Sequence, residues 1–286
     1  MRYIKSFSND AAIQAAVDNM TLGKPYVALN DQTGKIDWNT KSDTPDYSKM
    51  YLTIEALEDG EIKFDKRLYY SINNGEWMEK SGIAYPTIAV SNGDKVRFKG
   101  SVSPDKGFFS TTKTRFNVYG NVESLKYGDN FIGKTDFLKM KAMFSNSNVV
   151  SAKNLIIPSP IVINPDDDAP FENMFYNCKQ LIEAPALPAT TLDAYSYRYV
   201  FYGCISLTTA PELPAATLAS NCYNQMFYGC TNLNYVKCLA TDISASDCLY
   251  RWLTSVSPTG TFVKKAGVTW PTGQSGIPSG WTVVEE

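Results

Sequence analysis

Residues 174–188 read MFYNCKQLIEAPALP, and a closely similar stretch, VFYGCISLTTAPELP, follows at residues 200–214. The beginning of the stretch returns as MFYGCTNL at residues 226–233, so the period is 26 residues. A fixed period of this length is typical of proteins built from stacked repeats, in which each unit contacts its neighbours. Such a chain presents an extended surface, and the repeat therefore favours recognition or scaffolding over catalysis.

Equivalent positions align across most of the second half of the chain. A further unit reaches Trp252 and Leu253, and Met143-Phe144 precedes Met174-Phe175 by 31 residues. The extra residues of that interval are assigned to a loop around residues 164–168. These offsets predict roughly four repeats between about residues 140 and 253, which is above the minimum of about three that such a stack needs. The aligned core positions are Phe175, Phe201 and Phe227, and Cys178, Cys204 and Cys230.

Each repeat is predicted to contain one extended and one helical segment. The prolines of the Ala-Pro-x-Leu-Pro segment lack N–H donors and keep the preceding residues out of the α region. The segment that leads to Phe-Tyr-Gly-Cys has apolar residues at helical spacing and ends at a glycine. One strand and one helical segment per unit is the plan of a leucine-rich repeat.

These repeats resemble the BspA-like leucine-rich repeats of Bacteroides-type gut bacteria and their phages. The resemblance covers about residues 140–286, including WLTSVSPTGTF at residues 252–262 and SGIPSGWTV at residues 275–283. It implies a leucine-rich-repeat solenoid over residues 126–253. Residues 254–286 have no counterpart in the repeats, and we expect them to form the C-terminal cap that covers the last hydrophobic face.

The region before the repeats is predicted to be an antiparallel, Ig-like β-sandwich over residues 46–125. Apolar residues alternate there as in half-buried strands, and Asn74-Gly75 and Asn92-Gly93 are tight-turn signals between them. The stretch YYSINNGEW at residues 69–77 is similar to small β domains that precede such repeats in Bacteroides-type proteins. The whole chain is therefore predicted to be multidomain α+β, with an N-terminal helix and hairpin, a sandwich, a solenoid and a cap.

The first 45 residues are predicted to be an attachment and oligomerisation segment. A short helix and a hairpin have too little area for a core of their own, so their apolar residues should pack on another chain. The segment resembles the leading segments of tail and fibre proteins in Bacteroides phages, including crAss-like phages. The resemblance implies a homo-oligomer, with a trimer favoured over a monomer docked on a larger virion protein. The predicted attachment residues are Ile13, Val17, Tyr26, Val27, Leu29, Ile36 and Trp38.

Composition excludes several classes of partner. The net charge is −2 and no basic cluster occurs, so we expect no nucleic-acid binding. No apolar run approaches the ~20 residues that cross a bilayer, so we expect no membrane insertion. The first ten residues lack the apolar core of a signal peptide. If they are the natural start, a virion location is expected, and a bacterial cell surface is the alternative.

Side chains for catalysis are scarce. The chain has no histidine, which excludes Ser/His and Cys/His pairs and histidine-bearing metal sites. The six cysteines follow the repeat, which favours buried thiols over a metal site or disulfides. The chain has many carboxylates, so a pair that acts as the acid and base of a glycosidase is left as a possibility. The cluster Asp166–Asp168 could hold Ca²⁺, but it is also typical of a polar surface loop. We expect no enzyme activity, no cofactor and no metal.

Tyr176, Tyr202 and Tyr228 are the candidate binding residues. Each follows a core phenylalanine, so the three should point outward and lie above one another. Aromatic rings stack on sugar rings, and their hydroxyls form hydrogen bonds. The alternative is that they only cover the repeats. The sequence thus predicts a non-enzymatic virion appendage for host-surface or glycan recognition, with a bacterial adhesin, then a carbohydrate-active enzyme, as alternatives.

Overall fold

The chain divides into two compact units, Met1–Asp46 and Tyr47–Glu286, by the proximity of their Cα atoms. The predicted boundaries at residues 125 and 253 fall inside the second unit and stay predictions. The computed structural model describes residues 25–29, 36–40, 45–65, 67–80, 84–101, 107–135, 140–157 and 169–286.

The described part of the first unit contains two paired β-strands. Strand β1 (Pro25–Leu29) pairs antiparallel with β2 (Ile36–Thr40), and Val27 lies opposite Trp38 in the register. The predicted N-terminal helix, with Ile13 and Val17, lies outside the described residues. The two strands carry the other predicted attachment residues, which are Tyr26, Val27, Leu29, Ile36 and Trp38.

The second unit begins with antiparallel strands around an apolar core. The strands are β3 (Leu52–Ala56), β4 (Gly60–Lys63), β5 (Tyr69–Ile72), β6 (Thr87–Val90), β7 (Lys95–Lys99) and β8 (Phe116–Asn121). Strand β3 lies between β7 and β8, β5 lies beyond β7, and β4 pairs with β6 as a separate ribbon. Inward residues such as Ile54, Phe98 and Val118 are at most 1% exposed, because alternate side chains of a strand point to one face.

Parallel pairing joins these strands to the repeats. Strands β9 (Val149–Ser151) and β10 (Leu155–Ile156) both add to β8 in parallel. Further along, β11 (Tyr235–Lys237), β12 (Gly260–Lys264) and β13 (Trp281–Glu285) form a three-stranded parallel sheet. The proline-containing segments between β10 and β11 pair with neighbouring segments through isolated parallel bridges, such as Ser151 to Glu183 and Leu213 to Cys238.

The predicted α+β class with a leucine-rich-repeat solenoid is wrong. The described residues form several β-sheets, and the α-helix found among them is one short segment, α1 (Ser124–Tyr127), which lies outside the repeats' predicted helical segments. Those segments are continuous turns, and residues 194–203 show the pattern.

The hydrogen bonds explain why these segments are not helical. The N–H groups of Tyr197, Tyr199 and Phe201 donate to carbonyls 25 residues later, in the neighbouring repeat. The N–H groups between them donate to the carbonyl three residues before, as in Val200 to Tyr197. Half of the donors are therefore unavailable for the continuous i to i−4 pattern of an α-helix. Every fourth residue of the segment has a left-handed backbone conformation, as at Tyr195, Tyr199 and Gly203. The chain turns at these residues instead of continuing as a helix.

Aromatic columns form the core through the repeats. The rings of Phe109, Phe144, Phe175, Phe201 and Phe227 stack in one series, with centroids 5.3–5.7 Å apart. Phe109 precedes the predicted start of the repeats, so the column extends into the region that the sequence assigns to the sandwich. All five rings are buried.

The cysteines lie along the same core. All six are buried free thiols, so their predicted burial is confirmed. Sγ of Cys204 donates to the carbonyl of Phe175 at 3.1 Å, and Cys230 repeats the bond to Phe201 at 3.0 Å. Burial raises the pKa of Cys230 to about 12, which keeps the thiol protonated and able to donate.

Candidate functional site

The predicted tyrosines form one column on the surface of the repeats. The ring centroids of Tyr176 and Tyr202 are 4.8 Å apart, and those of Tyr202 and Tyr228 are 4.9 Å apart. Their planes differ by 15° and 9°, so the rings are stacked. Each tyrosine is half-buried beside a fully buried phenylalanine. The structure therefore brings together all three candidate binding residues.

The stacking limits how these rings can contact a ligand. Tyr202 has a tyrosine on each face, so it presents only its edge and hydroxyl to solvent. At one end, the guanidinium of Arg251 lies 4.9 Å from the centroid of Tyr228, and its Nη2 is 3.4 Å from the hydroxyl. Tyr176 forms the other end of the column and lines an open groove.

The groove has a volume of about 510 Å³. Sequence reasoning missed most of its lining. The signal was present, because Asn173, Tyr199 and Gln225 are spaced by the same 26 residues as the tyrosines. The amide of Gln225 donates to the hydroxyl of Tyr199 at 3.2 Å. The lining residues are Ala142, Ser145, Asn146, Asn173, Tyr176, Tyr199, Tyr202 and Gln225.

The groove offers neutral hydrogen-bonding groups. Desolvation, with the neighbouring Tyr176 and Tyr228, raises the pKa of Tyr202, so its hydroxyl stays protonated at neutral pH. It can then both donate and accept, as can the amides of Asn146 and Asn173. The described lining residues include no carboxylate, and so they supply no acid/base pair for glycoside hydrolysis.

A buried carboxylate lies near the groove but is fully engaged. Glu172 is 4% exposed, and its carboxylate forms ion pairs with Lys141 and Arg198. Nε of Arg198 donates to its Oε1 at 2.8 Å. A buried charge requires such partners, and we assign this group a structural role.

Other predicted site features are only partly described. Asp166–Asp168 lie outside the described residues. Within the described part of the chain, no cluster of histidine, cysteine or carboxylate side chains is suited to a metal ion. No helix in the same residues is long and apolar enough to cross a membrane.

Comparison with known proteins gives no relative from which a role could be transferred. No protein-family model, curated protein or solved structure matches the chain.

Proposed function

We propose that this chain is a non-enzymatic recognition protein that binds a glycan along the tyrosine column. The observation that carries the proposal is the stacked column of Tyr176, Tyr202 and Tyr228 beside an open groove of about 510 Å³. Ring edges and an uncovered ring face supply apolar contact, while hydroxyls and amides surround them.

The chemistry of the groove favours sugars over other ligands. A sugar ring has faces of C–H groups and a rim of hydroxyls that both donate and accept. Tyrosine rings match the faces, and tyrosine, asparagine and glutamine side chains match the rim. The described lining carries no cation, and the chain's net charge is −2, which disfavours nucleic acids and other polyanions.

Replacing all three tyrosines with alanine should remove binding without unfolding the protein. The rings are half-buried and two stacked pairs are lost, so we expect a loss of roughly 1–3 kcal/mol in the free energy of unfolding. Binding of labelled protein to a printed array of defined oligosaccharides should fall by about tenfold or more. Circular dichroism and a melting curve establish that the variant is folded at the assay temperature.

The chain offers a matched control for this experiment. Tyr69, Tyr85 and Tyr250 are 44%, 39% and 43% exposed and lie outside the column, so their triple alanine variant should keep the array signal. Equal signals from the wild-type protein and the column variant would refute the proposed function.

The location that we propose is a phage virion. Residues 1–45 attach the protein to other virion proteins and form a homo-oligomer, with a trimer as the favoured state. The support is the resemblance of that segment to phage fibre proteins. A bacterial surface adhesin is the alternative, since the same column would serve either. Imaging with a gold-labelled antibody tests the location: label on intact virions is expected, and label confined to uninfected bacterial cells would contradict it.

A further inference from the structure

The tyrosine column lacks a residue at its open end. Phe144 stacks on Phe175 at 5.3 Å, so the residue after Phe144 corresponds to Tyr176. That residue is Ser145, and the position one repeat earlier, after Phe109, is Ser110. Two consecutive repeats thus carry a serine where the next three carry a stacked tyrosine.

The small residues leave the outer face of Tyr176 uncovered. Ala142 occupies the position of Asn173, and together with Ser145 it lines the groove. Among the described residues, no ring or cation lies over this face of Tyr176, whereas Arg251 covers the far end of the column at Tyr228. The asymmetry leaves one free aromatic face, at one end of the column.

Hydrogen-bonding groups surround the uncovered face. The amide of Asn146 donates to the hydroxyl of Ser145 at 2.8 Å, and the amide of Asn177 lies 3.4 Å from the side-chain oxygen of Asn146. Asn146 is exposed, and Asn173 also lines the groove. A ring seated on Tyr176 would therefore have polar neutral groups at its edge.

We propose that a neutral pyranose ring occupies this position. One face of C–H groups stacks on Tyr176 at about the spacing of the tyrosines themselves, and the sugar hydroxyls bond to Asn146, Asn173 and Ser145. A purely aromatic ligand would leave those amides without partners, which costs binding energy. An acidic sugar would find no cation in the described lining. This inference rests on the proposed function and assigns its glycan to one end of the column.

Filling the vacant position should block the site. Ser145→Tyr adds a ring where the repeat register places one. Ser145 is 8% exposed, and its hydroxyl accepts a hydrogen bond from the amide of Asn146, which is exposed and can bond to water instead. The probes are the methyl glycosides of glucose, galactose and mannose, titrated into the full chain and followed by NMR. For the tightest of them, Ser145→Tyr should raise Kd by about tenfold or more. The matched control is Ser246→Tyr, at an exposed serine outside the groove, which should leave Kd unchanged.

A second pair of variants does not depend on the folding of Ser145→Tyr. Tyr176→Ala removes the uncovered face, whereas Tyr228→Ala removes the ring at the closed end. We expect the first to weaken binding several-fold more than the second, although both tyrosines are half-buried in the same repeat position. Equal losses would place the ligand along the column edge and overturn the inference.

The outcomes separate this inference from the proposed function. One outcome is that the triple tyrosine variant loses array binding while Ser145→Tyr keeps the wild-type Kd. That result would support a glycan site along the column but refute a sugar ring at the position above Ser145. Array binding that survives the triple variant would refute both. A wild-type protein that binds none of the three glycosides, or that binds only acidic sugars on the array, would also overturn the neutral pyranose.

Discussion

Replacing Phe201 with alanine is expected to lower the free energy of unfolding by about 3–5 kcal/mol. The ring is fully buried and lies between Phe175, at 5.7 Å, and Phe227, at 5.5 Å. Its removal leaves a cavity that neither neighbour can fill, because each is held by hydrogen bonds to the next repeat. Chemical denaturation followed by circular dichroism measures the loss.

Ile205→Ala is the control for this prediction. Ile205 lies four residues later in the same repeat and is 40% exposed, so its truncation should change stability by no more than about 0.5 kcal/mol. If Phe201→Ala cost no more than Ile205→Ala, the assignment of Phe201 to the core column would be wrong.

Trp252→Ala should have an effect of similar size, because this residue connects the last repeat to the C-terminal region. The indole is fully buried, with Tyr223 at 6.2 Å on one side and Trp270 at 5.8 Å on the other. Its Nε1 donates to the carbonyl of Gly276 at 2.9 Å. We expect a loss of about 3–5 kcal/mol, measured by denaturation as above.

Two companion variants separate the contributions of Trp252. Trp252→Phe keeps an aromatic ring but removes the N–H, which leaves the Gly276 carbonyl unpaired and should cost about 1–3 kcal/mol. Tyr250→Ala, at a position 43% exposed, should change stability little. Full stability in Trp252→Ala would show that residues 254–286 do not depend on this contact, and so would contradict their assignment as a cap.

The periodicity predicted the environment of many side chains correctly. Residues 26 apart occupy equivalent positions. Assigning one phenylalanine to the core therefore assigned Phe175, Phe201 and Phe227 together, and the same held for Cys178 and the cysteines at its equivalent positions. The same argument placed the three tyrosines in a surface column. It does not depend on the backbone conformation of a repeat, which is why it succeeded where the assignment of helices did not.

The helices were predicted wrongly because local spacing cannot show where N–H groups find their acceptors. Apolar residues three and four apart suit an α-helix, and they equally suit a turn with a left-handed residue every fourth position. Asn173 and Asn177, four apart and both left-handed, were the available signal, since asparagine is enriched in that conformation. Gly203 and Gly229 occupy the position of Asn177 in the following repeats.

The amino-acid sequence by itself determined which residues are equivalent, because a repeated unit places the same side chain in the same surroundings. Only the tertiary structure decided how each unit folds, since every second N–H group of its turn segment bonds to a carbonyl of the neighbouring repeat. It also decided which part of the tyrosine column is accessible. Stacking closes the faces of Tyr202, Arg251 covers Tyr228, and only the face of Tyr176 above Ser145 is left open to the groove.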